Sequence, residues 1–306
     1  MRKGGALLIV NIQDDILKLQ SLGLLDSLLV DKTTKKNIIW ATDAYRMFGE
    51  KYARNKPILS LAITGSNDII KTRAGKTREY QSERTRQHAE VFTPLRICSL
   101  MNSYLDMEWF GKDVFFEDGK PADHVDFGDK KWRDYVDSRR MEITCGEAPF
   151  IVSRYDVETG ESIPIKKRIG FLDRKLRVVN ENAVGEAEWL KWALRALQAT
   201  YGYEFQGDNL LIARVNLLMT MEEYTEEKWQ RKPTLEEYRK YINVICWNIW
   251  QMDGLSGTIP YHKIKSPQLL LFDLWEDDEI EQPPCRIYDW RARKSVEYRS
   301  LQKVRF

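Results

Sequence analysis

Residues 140–150 read Arg-Met-Glu-Ile-Thr-Cys-Gly-Glu-Ala-Pro-Phe, and this stretch decides the fold class of the chain. A short apolar segment contains an acid, Glu142, and is followed by a small-residue turn with Gly146 and by the aromatic Phe150. Glycine lets a backbone approach a ligand closely, and the amides at the start of a helix attract anions. The stretch therefore predicts a strand that passes into a helix beside a ligand.

Strands and helices alternate from about residue 141 to residue 255, which predicts an α/β fold with a parallel sheet. Residues 201–205 have the pattern of a short buried strand with an acid, Glu204, near its end. We expect a Rossmann-like half-sheet, formed by residues from about 86 to 260. Ligands bind at the carboxyl ends of strands in open α/β sheets, so Cys145, Gly146 and Glu204 should lie there on adjacent strands.

The rest of the chain has weaker patterns. Apolar residues at helical spacing predict two short amphipathic helices over residues 12–31, broken at Gly23. Residues 58–72 resemble strands, whereas Pro94 begins a predicted helix over residues 94–109. Further helices are predicted at residues 186–200, 208–222 and 234–250, the last opened by a capping box of Thr234 and Glu237. Two domains follow from this reading: a small mixed α+β region at residues 1–85 and a second domain at residues 86–306.

The composition is that of an ordinary soluble protein, with 43% hydrophobic and 31% charged residues in a chain of 306. The net charge is only +2, so a contact with DNA has to come from a local patch. Residues 71–88 are rich in Lys and Arg. They form either a solvated helix face or a phosphate contact, and the sequence favours the first reading.

Four cysteines lie far apart, and none forms a C-x-x-C pair. Neither a disulfide framework nor a zinc site is indicated, which favours a reducing cytoplasm. His88 and His262 have no neighbouring cysteine, so we expect no metal. The apolar run Leu7–Val10 is too short for a membrane span, so no contact with a membrane is expected.

Residues 140–150 resemble motif I of the S-adenosylmethionine-dependent N6-adenine DNA methyltransferases of restriction–modification systems. That motif consists of an acid, two residues, Cys-Gly-x-Gly and an aromatic. Phe92-Thr93-Pro94 resembles the element that precedes motif I in this family. The later motifs follow in the family's own order: Gly202-Tyr203-Glu204, Ala213-Arg214-Val215-Asn216-Leu217, and Asp253-Gly254-Leu255. The resemblance covers most of the chain. It implies a partial S-adenosylmethionine-dependent methyltransferase domain over residues 86–306.

The resemblance also implies the residues that hold S-adenosylmethionine. Glu204 would accept hydrogen bonds from both ribose hydroxyls, and Asp253 would meet the adenine amino group. The Thr-Pro element would pack on the methionine part of the cofactor. The full predicted set is Phe92, Thr93, Pro94, Glu142, Thr144, Cys145, Gly146, Glu204 and Asp253.

The chain departs from the family in two places. Ala148-Pro149 replaces the second glycine of motif I, and Glu147 places a charge where it would repel the cofactor carboxylate unless it faces the ammonium. The Asn-Pro-Pro-Tyr motif that positions the target adenine is absent. Pro283-Pro284 is the only Pro-Pro pair, and its neighbours Gln282 and Cys285 cannot replace the missing groups. No catalytic residue is therefore predicted.

We expect the chain alone to be inactive, with the catalytic motif supplied by a separately encoded half. Its expected partners are double-stranded DNA and that catalytic and target-recognition half or a restriction subunit. The stretch from Tyr288 to Phe306 should be an unpaired edge prone to association. The alternative is a non-catalytic DNA- or cofactor-binding subunit that keeps the methyltransferase fold. A nuclease ranks last, because no PD-(D/E)xK pattern lies in a plausible strand.

Overall fold

A computed structural model describes residues 8–65, 68–77, 93–117, 120–261 and 283–302. Several sequence-based predictions lie outside these ranges and stay untested. They are the contact assigned to Phe92, most of the basic segment at residues 71–88, and the residues at 281–282 and 303–306.

The helices of the described ranges agree in most places with the apolar periodicity. Their bounds are α1 Ile12–Ser21, α2 Leu25–Leu29, α3 Ser60–Ile63, α4 Leu95–Phe110, α5 Trp132–Asp137, α6 Phe171–Asn182, α7 Glu186–Gln198, α8 Gly207–Trp229, α9 Leu235–Asn248 and α10 Tyr298–Gln302. The break between α1 and α2 lies at Gly23, whose φ of 65° suits glycine. The capping box of α9 is formed by Thr234 and Glu237, as the spacing predicts.

The central sheet has three parallel strands, β3 Arg140–Glu142, β4 Thr200–Glu204 and β5 Ile249–Gln251, with β4 in the middle. Glu142 pairs with Gly202, and Glu204 pairs with Gln251, so the carboxyl ends of the strands form one edge. The α/β class and the adjacent parallel strands are confirmed. Two antiparallel hairpins accompany the sheet: β1 Phe116–Glu117 with β2 Lys120–Pro121, and β6 Arg286–Asp289 with β7 Lys294–Glu297.

The two faces of the central sheet pack against different elements. One face joins a large hydrophobic core to which α1, α2 and α6 to α9 contribute. On this side Gly202 leaves room for Ile151 and Cys145, because a Cβ there would lie 3.0 Å from the Ile151 side chain. The opposite face carries Tyr201, Tyr203 and Trp250, which form a second cluster with the β6–β7 hairpin and α10.

Two sequence-based predictions are wrong. The described part of residues 58–72, which excludes 66 and 67, contains no strand. Ser60–Ile63 is a helical turn, in which Ala62 and Ile63 are buried while Leu61 is 81% exposed. The stretch from Tyr288 onward is not an unpaired edge within the described part, because Tyr288 pairs with Ser295 in the β6–β7 hairpin. The apolar residues of the hairpin pack against the face of the sheet that carries Tyr201 and Tyr203.

The division at residue 85 stays a prediction, since residues 78–92 lie outside the described ranges. The described N-terminal residues share the large core with the sheet domain. The Arg214 guanidinium in α8 donates to the carbonyl of Leu28 at 2.7 Å and to that of Ile249 at 2.9 Å. This one buried side chain therefore ties α2 to strand β5.

Candidate functional site

Three acids lie along the carboxyl edge of the central sheet. Glu142 ends β3, Glu204 ends β4, and Asp253 follows β5 by two residues. Glu204 accepts a hydrogen bond from the Gly146 amide at 2.9 Å and another from the Gln206 amide at 3.0 Å. Cys145-Gly146 and Glu204 lie at the carboxyl ends of adjacent parallel strands, as the topology predicts, and Glu142 lies beside them.

The turn after β3 is held in an unusual backbone conformation. Thr144, Gly146 and Ala148 all have positive φ, at 49°, 55° and 68°. Ala148, which stands where the resembling motif has its second glycine, therefore keeps a glycine-like conformation although it carries a buried Cβ. Left-handed conformations in residues other than glycine cost energy and cluster at functional sites.

Protein groups use several amides of this turn. The Cys145 amide donates to the Tyr203 carbonyl at 2.8 Å, and the Ala148 amide donates to the Cys145 carbonyl at 2.7 Å. The Gly146 amide donates to Glu204, and Pro149 has no amide hydrogen. The amides of Cys145 and Gly146 thus hold the turn against β4 and are not free to bind an anion.

The Glu142 and Glu204 carboxyl groups lie close enough to repel each other. Burial, followed by the charge of Glu204, raises the pKa of Glu142 well above its usual range. Burial also raises the pKa of Glu204 to about 6, although hydrogen bonds from Gln206 and Gly146 act in the opposite direction. Within the described ranges, neither carboxyl group has a Lys, Arg or His at ion-pair distance.

One oxygen of this pair has no partner. The Oε2 atom of Glu142 is buried, and no hydrogen-bonding group of the described chain reaches it. A buried polar atom without a partner costs roughly 1–3 kcal/mol, so native proteins rarely keep one without a reason. The arrangement suits a ligand that carries hydroxyl or ammonium donors.

Glu147 has a different role from the one expected from its place in the motif. Its side chain is buried, accepts from the Arg73 amide at 2.6 Å and accepts from the Tyr155 hydroxyl at 2.8 Å. Its carbonyl accepts from the Asn216 amide group at 3.0 Å. Glu147 therefore fastens the turn to the N-terminal segment and to α8.

The Thr-Pro element reaches the same edge through helix α4. The Thr93 carbonyl accepts from the Cys98 thiol at 3.5 Å, in the first turn of that helix. Burial and then the charge of Glu142 raise the pKa of Cys98 to about 12. Asn102 then donates to the Phe150 carbonyl at 3.0 Å and fixes α4 against the end of the motif-like stretch.

Asp253 lies at the same edge but caps its own turn. Its Oδ1 atom accepts from the Leu255 amide at 2.9 Å and from the Ser256 amide at 3.3 Å. Next to it, a Cβ at Gly254 would lie 3.0 Å from the Tyr203 ring, so the turn packs directly on β4. Thr144 is exposed, and its hydroxyl donates to its own neighbour, the Ile143 carbonyl, at 2.7 Å.

The sequence did not identify the residues that support the turn. Asn216 joins Glu147 to Tyr155, since it also donates to the Tyr155 hydroxyl at 3.0 Å. The sequence does contain one indication of this role. Asn216 is an amide side chain in the middle of the apolar run of helix α8, where a buried polar group needs a hydrogen-bond partner.

No group of three or more His, Cys, Asp and Glu side chains in the described ranges is arranged to hold a metal ion. All four cysteines are buried and free of disulfides. Of the helices in the described part, none combines the length and hydropathy of a membrane span. No family model, curated protein or solved structure matches this chain.

Proposed function

We propose that this chain is the cofactor-binding portion of an S-adenosylmethionine-dependent N6-adenine DNA methyltransferase from a restriction–modification system. One observation supports the proposal more than any other. The acids Glu142 and Glu204 lie at adjacent parallel strand ends beside the Cys145-Gly146 turn, and Glu142 keeps a buried oxygen without a partner.

The donors of S-adenosylmethionine match these acceptors. A carboxylate has about four lone-pair directions, and backbone amides use only part of this capacity on Glu204. The unused capacity suits the ribose hydroxyls. The ammonium of the methionine part would satisfy the Glu142 oxygen and remove the repulsion between the two acids. When bound, the cofactor supplies an electrophilic methyl group.

The carboxylate of the cofactor finds fewer donors. The Gly146 amide, which would face it in the resembling motif, donates to Glu204 instead. Cofactor binding therefore has to break this bond or do without it, and we expect weaker binding than in a turn with two glycines. Thr93 and Pro94 would lie against the methionine part, beside Glu142.

The chain lacks the parts that act on DNA adenine. Methylation of a flipped base needs acceptors for its amino group and a ring that stacks on it. Neither is encoded between Asp253 and Phe306. We propose double-stranded DNA as the substrate, a polypeptide region that supplies the catalytic motif or a restriction subunit as the partner, and a reducing cytoplasm as the location.

The test is transfer of tritiated methyl groups to adenine-containing DNA by residues 1–306 alone and together with a polypeptide that carries an Asn-Pro-Pro-Tyr motif. We expect no turnover by the chain alone and turnover when the second half is present. Glu204→Ala in the reconstituted pair is the control for dependence on this site. Turnover by the chain alone above that control would contradict the account of the missing motif.

A second function, a non-catalytic cofactor- or DNA-binding subunit, is favoured by the pinned turn. The Gly146 amide is engaged, and Pro149 removes another donor. Failure of the polypeptide with the Asn-Pro-Pro-Tyr motif to restore methyl transfer, with S-adenosylmethionine still bound by this chain, would select this alternative.

A further inference from the structure

Two grooves lie at the opposite, amino edge of the sheet. The larger has a volume of about 610 Å³ and is lined by Lys191, Trp192, Leu194, Arg195, Gln198, Tyr288, Trp290 and Arg293. The smaller has a volume of about 270 Å³ and is lined by Phe127, Lys130, Lys131, Trp132, Arg133 and Asn182. We call them the large groove and the small groove.

The place of the large groove follows from its contacts. The Trp290 indole N–H donates to the Asn248 side chain at 2.7 Å, just before β5 begins. The Tyr201 hydroxyl, near the start of β4, donates to the Tyr288 carbonyl at 3.1 Å. The groove is separated from Glu204 by the length of β4, roughly 13 Å at the usual rise per residue.

A pair of tryptophans forms the wall between the two grooves. The ring centroids of Trp132 and Trp192 are 5.2 Å apart. The Arg133 guanidinium lies 5.2 Å from the first ring and 5.6 Å from the second, and it pairs with Glu188. The grooves therefore form one continuous face.

Rings continue along the floor of the large groove. The centroid of Tyr288 is 4.6 Å from that of Trp290 and 5.3 Å from that of Trp247. Lys35 lies 5.1 Å over the Trp247 ring and places a positive charge at the far end of this row. The rings that line the large groove are half-buried, so each has a surface that solvent can reach.

The lining of both grooves carries charge of one sign. Three cationic side chains line each groove, and neither lining contains a carboxylate. Arg195 is neutralised by Asp137 behind the groove. Within the described ranges, Lys191 and Arg293 have no ion-pair partner, and both are exposed. In a chain with net charge +2, this is a local concentration of positive charge.

We propose that this face binds single-stranded nucleic acid, separately from the acid edge. Bases would stack on Trp192, Tyr288 and Trp290, while phosphates meet Lys191 and Arg293. Stacking platforms beside cationic tracks are the general means of holding single strands, since every base has a flat face. A duplex hides those faces, so it would meet only the charges. The proposal does not rest on cofactor binding.

The test is fluorescence anisotropy of the full chain with labelled oligothymidylate and oligouridylate of about twelve nucleotides, a typical length for one such site. We expect both single strands to bind more tightly than a duplex of the same length. The DNA and RNA arms show whether the sugar matters. Photocrosslinks from bromouracil should map to helix α7 and to residues 283–302.

The variant is Lys191→Glu/Arg293→Glu, which changes two exposed side chains. Its matched control is Lys166→Glu/Lys167→Glu in the turn Ile165–Lys167, which changes the net charge equally. We expect about a tenfold or larger loss of single-strand affinity for the variant and little for the control. The slope of log affinity against log salt should become shallower by about 1.4, because each single-strand phosphate contact contributes about 0.7.

Three results would overturn the proposal. They are no binding of either single strand, an equal loss in both charge-reversed variants, and equal binding of a duplex or of polyglutamate with the same dependence on Lys191 and Arg293. The last would show that the face responds to negative charge alone. Circular dichroism of both variants separates a loss of binding from a loss of fold.

Discussion

Strand β3 begins and ends at buried carboxylates in opposite situations. At its start, Arg140 and Arg174 both reach the buried carboxylate of Asp106, each at 2.6 Å, and Tyr135 donates to it at 2.9 Å. At its end, Glu142 faces Glu204 without a cation in the described chain and keeps an oxygen without a partner. Alternate residues of a strand share a face, so these environments lie on one side of β3.

The difference between Asp106 and Glu142 distinguishes a carboxylate that stabilises the fold from one that binds a ligand. A carboxylate that stabilises the fold is held by donors, because a buried charge without a partner costs several kcal/mol. Asp31 and Asp173 in the described chain also each keep one buried oxygen without a partner, so what distinguishes Glu142 is the second acid beside it at the strand ends. A carboxylate that is kept for a ligand has an oxygen without a donor. Its pKa is raised, so the carboxyl group is protonated while no ligand is bound. The network of Asp106 therefore belongs to the fold, and we infer that the pair of Glu142 and Glu204 belongs to a ligand.

The largest effect should come from Asp106→Asn. Removing this charge leaves Arg174, which is 1% exposed, without its counter-ion, and such losses cost about 3–5 kcal/mol. Urea unfolding measures the change. The control Asp126→Asn removes an exposed partner of Lys112 and should leave the stability nearly unchanged. Similar values for both variants would remove the contrast between a buried and an exposed pair.

Glu142→Gln should act in the opposite direction. The raised pKa means that folding at neutral pH requires this carboxyl group to take up a proton. Glutamine removes that requirement, so the free energy of unfolding at neutral pH should rise. Affinity for S-adenosylmethionine should fall by about tenfold or more, since a charged acceptor is lost. Destabilisation by this variant would mean that Glu142 is a structural group.

The pH dependence of stability should identify Glu204. Its native pKa of about 6 exceeds the value of about 4.3 expected in the unfolded chain, so the native state holds the proton more tightly. The contribution is therefore fully present below about pH 4 and is lost as the pH rises to about 6, by roughly 2 kcal/mol. Subtracting the unfolding curve of Glu204→Gln from that of the wild type isolates this step. A difference that does not change over this range would contradict the raised pKa.

The smallest effect should come from Ala148→Gly. Glycine relieves the positive φ of 68°, which gains about 1 kcal/mol, but the change removes a buried methyl group worth about 0.8 kcal/mol. Chemical denaturation should show a net change below about 1 kcal/mol. The control Ala193→Gly, equally buried in helix α7, gains nothing and should cost about 2 kcal/mol. Equal costs for both would mean that the turn is not strained.

The sequence predicts the elements that depend on local patterns. The helix of Leu235–Asn248 and the strand of Thr200–Glu204 follow from a capping box and from a short buried run with an acid. The acids at adjacent strand ends follow from the topology rule for parallel sheets. Residues 58–63 were misread, because a short apolar run does not distinguish a strand from a helical turn.

Contacts between residues that are far apart in the chain could not be predicted from the sequence. Nothing local indicates that the carboxylate of Glu147 meets the amide of Arg73, or that Trp132 meets Trp192. The orphaned oxygen of Glu142 is likewise a property of the packed site. These features shape the acid edge and the two grooves, and only the fold brings their residues together.

The most direct test of the acid edge is calorimetric titration of the wild-type chain with S-adenosylmethionine near pH 7 in two buffers of different ionisation enthalpy. Binding of the ammonium should drive Glu142 to ionise, so we predict binding with release of about one proton. Glu142→Gln should lose that proton release, and Glu204→Ala should weaken binding by about 1–3 kcal/mol. No binding by the wild type, or binding with no proton released, would contradict the claim that the acid pair is kept for this ligand.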